Sequence, residues 1–283
     1  MACNNEIRLH SHQPASFIAH LMERAEQEVA RIVKKYSRYR PDSLLSAINY
    51  NAGVQHTIID AETHALLEYA DSCYQQSEGR FDITSGVLRQ VWKFDKKQQL
   101  PTQQQVDVLL PLIGWSQISR SSNTIDLPQK GMEIDLGGIG KEYAADRVAS
   151  LLQQAGITSA MVNMGGDIRI LGPHPDGSPW SIGIPSHTQK QTGKPRVAAT
   201  VPIYRGAIAT SGDYERCMVV KGKTYSHILD PKSGWPVKDP FHSVSVIADY
   251  CLSAGSVATI AMLMGKKQGG AWLSSTELTH HTQ

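Results

Sequence analysis

Glycine recurs beside a carboxylate, a hydroxyl or an imidazole along this chain, in Gly79-Arg-Phe-Asp-Ile-Thr-Ser-Gly86, Ile134-Asp-Leu-Gly-Gly-Ile-Gly-Lys141, Asn163-Met-Gly-Gly-Asp167, Thr210-Ser-Gly-Asp213 and Ser226-His-Ile-Leu-Asp-Pro231. Glycine lets backbone N–H groups come close to an anion. The stretch from Asp135 to Lys141 opens a predicted helix, where unsatisfied N–H groups and the positive end of the dipole favour phosphate, and Lys141 adds charge. The chemistry suggested is that of a phosphate-containing ligand. Taken singly the segments are also ordinary. Gly-Gly-Asp and Ser-Gly-Asp are common turn sequences, and a lone histidine such as His227 is more often structural or superficial than catalytic. None is a Walker A loop or a GxGxxG fingerprint.

The elements that must position these residues can be read from periodicity. Glu6 to His10 alternates as a strand does, and Ile18, Leu21, Met22, Ala25, Val29, Ile32, Val33 and Tyr36 recur at helical spacing. That helix stops before Tyr39-Arg40-Pro41, because Pro41 disfavours the helical region for Arg40. A second helix is expected from Asp60 as N-cap through Leu66, Leu67, Ala70 and Cys73 to near Gly79. Residues 121–130 read as turns. A third helix carries Ile139, Tyr143, Val148, Leu151, Leu152 and Ala155, with Gly156 as its stop, and Ser159 to Met164 follows as a buried strand. Arg216 to Val220 and Lys223 to Ile228 flank Lys221-Gly222 as a β-hairpin that carries His227 near its far end. A last helix runs from Leu252 to Met264, and His280 and His281 look like an unstructured tail. The expected fold class is α+β, one unit over residues 1–283, with two lobes sharing a cleft.

Composition excludes several classes. The 283 residues include 28 Lys+Arg and 26 Asp+Glu, a formal charge of +2, with 41% hydrophobic residues. This is a globular balance without a field for a polyanion, so no nucleic-acid partner is expected. Cys3, Cys73, Cys217 and Cys251 form no CxxC pair and no zinc spacing, and read as buried thiols. The most apolar stretch, Leu252 to Gly265, is too short and too interrupted to span a bilayer, so no integral membrane segment is expected. Met1 to Asn5 shows no signal-peptide character, which reads as cytoplasmic; an exported or membrane-anchored protein remains the alternative if a signal preceded Met1.

In order, the motifs resemble the ApbE family, the FAD:protein FMN transferases. Ser37-Arg-Tyr-Arg-Pro-Asp-Ser43 with Asn49, Phe81-Asp-Ile-Thr-Ser-Gly-Val-Leu88, Asp135-Leu-Gly-Gly-Ile-Gly-Lys141 with Tyr143-Ala-Ala-Asp146, Val162 to Ile168, Ala209 to Tyr214 and Ser226 to Gly234 carry the likeness over nearly the whole chain. The resemblance implies a T-fold-related unit around a flavin cleft. It implies cleavage of the FAD pyrophosphate, transfer of FMN to a threonine hydroxyl of an acceptor flavoprotein, and release of AMP with Mg²⁺ assistance. It assigns His227 as general base. It places Met1, Tyr39, Arg80, Phe81, Asp82, Asp135 and Lys141 at FAD contacts, and Ser211, Gly212 and Asp213 at the pocket near the transfer point. Met1 falls where the family has an internal methionine, and Glu277 to Gln283 falls short of the final strands of longer relatives.

Two positions depart from the family pattern. In the resemblance an aspartate and a threonine at the start of the last helix bind Mg²⁺ together with a backbone carbonyl; here the aspartate position is Gly255, while Thr259 is kept. Glu142 stands where the family resembled has glycine between the lysine and tyrosine matched by Lys141 and Tyr143, just beyond the carbonyl position Gly138. Glu142, Thr259 and Gly138 therefore form the expected metal set. The competing account of Glu142 is a solvated first-turn carboxylate, and that of Thr259 a helix threonine packed by its methyl group. Besides the transferase, the sequence admits an FAD pyrophosphatase and a flavin-binding protein without turnover.

Overall fold

The computed structural model describes residues 4–94, 99–186, 197–213 and 217–283. Its centre is an antiparallel sheet of six strands in the order β1-β5-β6-β9-β12-β13. These are β1 (Asn5–His10), β5 (Ser159–Met164), β6 (Asp167–Ile170), β9 (Gly206–Gly212), β12 (Ser243–Ala248) and β13 (His280–Thr282). Period-two alternation sends side chains to opposite faces. Ala160, Val162 and Met164 of β5 join the buried cluster of the long helices, while Met161 faces the other way, with Ile168 and Ile170. That second face is covered by the hairpin β7 (Trp180–Pro185) and β8 (Val197–Ile203).

The helical face carries α1 (Ala15–Tyr36), α5 (Gly140–Gln154) and α6 (Cys251–Ser275). Leu21 and Ala25 of α1 pack with Ala145, Val148 and Leu152 of α5. Beyond α5 lies another buried cluster, built on α2 (Leu44–Tyr50), α3 (Ala61–Gln76) and a small sheet of β2 (Thr57–Ile58), β4 (Thr124–Asp126) and β3 (Ser119–Arg120). Ile139, Ala144 and Ile260 belong to it, so α5 and α6 each contribute to more than one core. A further group, Val87, Leu88, Trp92, Leu109 and Met218, joins the 3₁₀ segment Ile83–Gln90 and α4 (Gln103–Leu109) to the hairpin β10 (Cys217–Val220) and β11 (Lys223–Ser226).

The expected helices and strands stand at or near their sequence bounds. Asp60 caps α3 by accepting the Thr63 amide, and Gly156, with φ of 84°, follows α5. Lys221 and Gly222 both have positive φ, which suits the right-handed twist of a tight hairpin. The last helix departs from expectation. It breaks at Gly265 (φ 74°, ψ 171°) and resumes to Ser275; after the break the Lys266 amide is donated to the Asp239 carbonyl instead of back along the helix. Two further corrections follow from pairing. Thr124–Asp126, inside the expected turn, is a strand between two others. The tail histidines form β13 on the edge of β12, with His281 opposite Ser245; two polar residues suit an edge strand with one face in water. Cys73 and Cys251 are buried, and Cys217 is half-buried. No helix among the described residues is long and apolar enough to cross a membrane.

Candidate active site

Two helices set the frame. The first residues of α6 have no side-chain cap of their own. Asp146 of α5 supplies it, accepting the Cys251 amide at 3.0 Å and the Leu252 amide at 2.9 Å. Arg169 on β6 holds the same carboxylate at 3.3 Å. This contact fixes the register of α5 against α6. One turn back along α5 is Glu142, and one turn on along α6 is Gly255. They meet: a Cβ at residue 255 would lie 2.6 Å from Glu142 Cγ and 2.8 Å from Oε1. Glu142 is buried at 5% exposure, and its Oε2 has no hydrogen-bond partner among the described residues. Burial first, and then the neighbouring Asp167, push its carboxyl far above the usual range. The solvated-carboxylate account of Glu142 is thereby excluded. One further turn along α6, the Thr259 hydroxyl meets Ser211 Oγ at 2.8 Å, so Thr259 turns its hydroxyl, and not only its methyl, to a polar partner.

The glycine segments converge through ion pairs. Lys141 binds Asp167 of the Gly-Gly-Asp turn at 2.8 Å. Asp135 accepts Arg38 at 2.6 Å and the Gly137 amide at 3.1 Å. Arg38 also donates to the Tyr39 hydroxyl at 3.1 Å and lies 5.1 Å from the centre of that ring. Tyr39 itself is 75% exposed, an aromatic face offered outward. Gly86 must be glycine, because a Cβ there would stand 2.6 Å from Asp135 Cβ. Gly138 sits against the Phe81 ring, its Cβ position 3.2 Å from Cζ.

Phe81 and Asp82 are buried, and the Asp82 carboxylate is engaged within the fold. Its Oδ1 accepts the Thr84 amide and hydroxyl and its Oδ2 accepts the Trp115 amide, while burial raises its pKa. Arg80 donates to Gln268 beyond the α6 break at 2.8 Å, and its buried Nε has no partner among the described residues.

His227 follows β11 directly, half-buried, with its ring edge-on to Phe94 at 6.3 Å. Trp92 stacks on Phe94 at 5.8 Å and meets Trp235 edge-on at 5.1 Å. The next residue, Ile228, is buried in the cluster that holds Ala209, Ala258 and Phe241. Those residues neighbour the site in sequence: Ala209 precedes Ser211 on β9, and Ala258 adjoins Thr259. Asp213, after the buried Gly212, pairs with His242 at 3.2 Å and donates its amide to the His242 carbonyl. The fold thus ties the ends of β9, β11 and the first turns of α6 together. Met1 lies outside the described residues. Surface hollows of about 270 and 310 Å³, lined by Gly53 to His56 and by Leu171 to Pro173, hold none of the expected site residues.

The sequence gives no individual role to Arg38, Asp146, Asp167 or Arg169. Arg38, Asp146 and Asp167 stand inside quoted motifs, but their roles are long-range, and spacing cannot show that an aspartate on one helix caps another. Asn49 likewise exchanges hydrogen bonds with Ile134, at 2.8 Å from its amide and 3.0 Å to its carbonyl.

A mixed fold of helices on an antiparallel sheet, carrying glycine turns, a hydroxyl pair, a buried carboxylate and a hairpin imidazole, defines a class suited to group transfer on a phosphate ligand. The model of the ApbE family matches residues 1–281. The chain belongs to the ApbE family. It is 32% identical over 264 residues to an FAD:protein FMN transferase of Vibrio cholerae, covering 89% of this chain and 77% of that one. It is 33% identical over 256 residues to one of Chlamydia pneumoniae, covering 88% and 78%. Among solved structures, the flavin transferase ApbE from Vibrio cholerae superposes with a TM-score of 0.87 at 28% identity, over 100% of this chain and 90% of that one. The ApbE protein of Thermotoga maritima gives 0.85 at 29%, over 98% and 90%.

Proposed function

We propose that this chain transfers the FMN moiety of FAD to a threonine hydroxyl of an acceptor protein and releases AMP. The observation that carries this reading is that Ile228, next to His227, shares a buried cluster with Ala209 of β9 and Ala258 of α6, the strand and helix that bring the Ser211 and Thr259 hydroxyls together. The imidazole takes the proton of the acceptor threonine as its Oγ bonds to the phosphorus on the FMN side; the bond from that phosphorus to the bridging oxygen breaks, and AMP leaves with that oxygen. The product is a phosphoester, and the proton passes from His227 to solvent.

The glycine turns at Gly137 to Gly140 and Gly165 to Gly166 offer backbone amides to the pyrophosphate, Lys141 adds positive charge, and Tyr39 offers a ring face to an aromatic portion of FAD. Asp135, held by Arg38, and Arg80 line the same approach; Phe81 and Asp82 act by shaping it from within. Asp213, anchored on His242, borders the transfer point. The residues fit a hard divalent cation: Glu142 has a buried oxygen without a partner among the described residues, Thr259 a hydroxyl and Gly138 a backbone carbonyl. These residues would hold Mg²⁺, which would supply charge neutralisation at the pyrophosphate.

Incubating the protein with FAD, Mg²⁺ and a threonine-bearing target, then weighing the target, tests the reading. Transfer adds the mass of an FMN phosphoester. Free FMN and AMP with an unmodified target would make the protein an FAD pyrophosphatase, and intact FAD would make it a flavin binder.

A further inference from the structure

A buried carboxylate with an unpartnered oxygen is costly unless a cation compensates it. Glu142 is such a group: it is 5% exposed, and its Oε2 has no hydrogen-bond partner among the described residues. Lys141, next in the chain, attracts the charged form of Glu142 but makes its ion pair with Asp167 at 2.8 Å. The space Glu142 fills is unusual in origin. It is where the side chain of residue 255 would stand, and only the absence of a Cβ there admits the glutamate; an aspartate at 255 would put its Cβ 2.6 Å from Glu142 Cγ. The resemblance expects an aspartate at 255 and a glycine at 142, and this chain has the reverse at both.

Resting on the transferase reading above, we infer that Glu142 and Gly255 are one exchanged unit: the carboxylate that holds the divalent cation beside Thr259 is delivered from α5 instead of α6, and Gly255 is the vacancy that lets it in. The carboxylate reaches the same place from the opposite wall. Its charge and oxygen chemistry are kept, while the helix that carries it changes. The hydroxyl of Thr259, one turn beyond Gly255 and held by Ser211 at 2.8 Å, completes the protein's side-chain share of the site.

The test is Mn²⁺ binding, read by electron paramagnetic resonance on the full chain saturated with FAD, with Mg²⁺ as competitor. The parent protein should bind Mn²⁺ and release it to Mg²⁺. Glu142→Gln, which keeps the volume, should weaken binding by about ten- to a hundredfold. Gly255→Asp alone should lower the melting temperature without strengthening binding. Glu142→Gly combined with Gly255→Asp should return the affinity to within about threefold of the parent. Parent-like affinity in Glu142→Gln, no Mn²⁺ bound by the parent, or a folded exchange variant that fails to recover would each overturn the inference. If the exchange variant does not fold, Glu142→Gln decides alone. A protein that binds Mn²⁺ through Glu142 yet transfers no FMN sinks the transferase reading and leaves this inference standing; transfer with binding indifferent to Glu142 does the opposite.

Discussion

Asp146 accepts the Leu252 amide at 2.9 Å, so a residue of one helix caps the start of another. Its second oxygen serves Cys251 and Arg169. Replacing it with alanine removes the cap and leaves Arg169, only 9% exposed, without its carboxylate. Asp146→Ala should cost about 2–4 kcal/mol in chemical denaturation, and Asp146→Asn clearly less. Equal stability of the alanine variant would show that α6 does not depend on this contact.

His227→Ala should leave FAD binding nearly intact, as measured by quenching of flavin fluorescence, while single-turnover transfer slows by about 10²–10⁴-fold. A variant that loses FAD affinity in the same proportion would make His227 a binding residue.

Arg38→Ala should act on binding. The side chain ties Asp135 to Tyr39, and losing a charged hydrogen bond of about 1.5–3 kcal/mol corresponds to roughly a ten- to hundredfold rise in the Kd for FAD. The rate at saturating FAD should change far less. An unaltered Kd would remove Asp135 and Tyr39 from the FAD surface.

Glu62 on α3 receives Arg31 and Lys35 from α1 and the Tyr143 hydroxyl from α5. The Arg31 hydrogen bond, ahead of the others, holds its carboxyl well below the ordinary 4.5. A lowered folded pKa means that its stabilisation is fully present above pH 4.5 and is lost as the pH falls below it. Glu62→Gln should therefore be less stable at neutral pH by about 1–3 kcal/mol, and its melting temperature should fall less steeply on acidification. Parallel acid profiles for parent and variant would refute this.

What the sequence made legible was local. β5 (Ser159–Met164) is a buried apolar run, α1 (Ala15–Tyr36) a long stripe at helical spacing, and Lys221-Gly222 a turn dipeptide; each signal lies within one element. The break at Gly265 matched the expected end at Met264, but the resumed helix was hidden, because its direction depends on Asp239 receiving the Lys266 amide. β13 was missed since two histidines carry no strand signal until β12 is beside them. At the site, glycine and the imidazole stood out by type. Arg38 and Arg169 did not, nor did the pairing of Asp167 with Lys141, because the partners are far away in sequence.

The overlap between residues 142 and 255 also limits how such a protein can change by mutation. Holding an acidic side chain at both positions crowds the interior, and, with Glu142 as the cation's carboxylate as inferred above, holding glycine at both would leave the cation without it, so either single step toward the opposite arrangement would be penalised. Substitutions at the two positions should therefore be epistatic, and a survey that scores them separately would misjudge both.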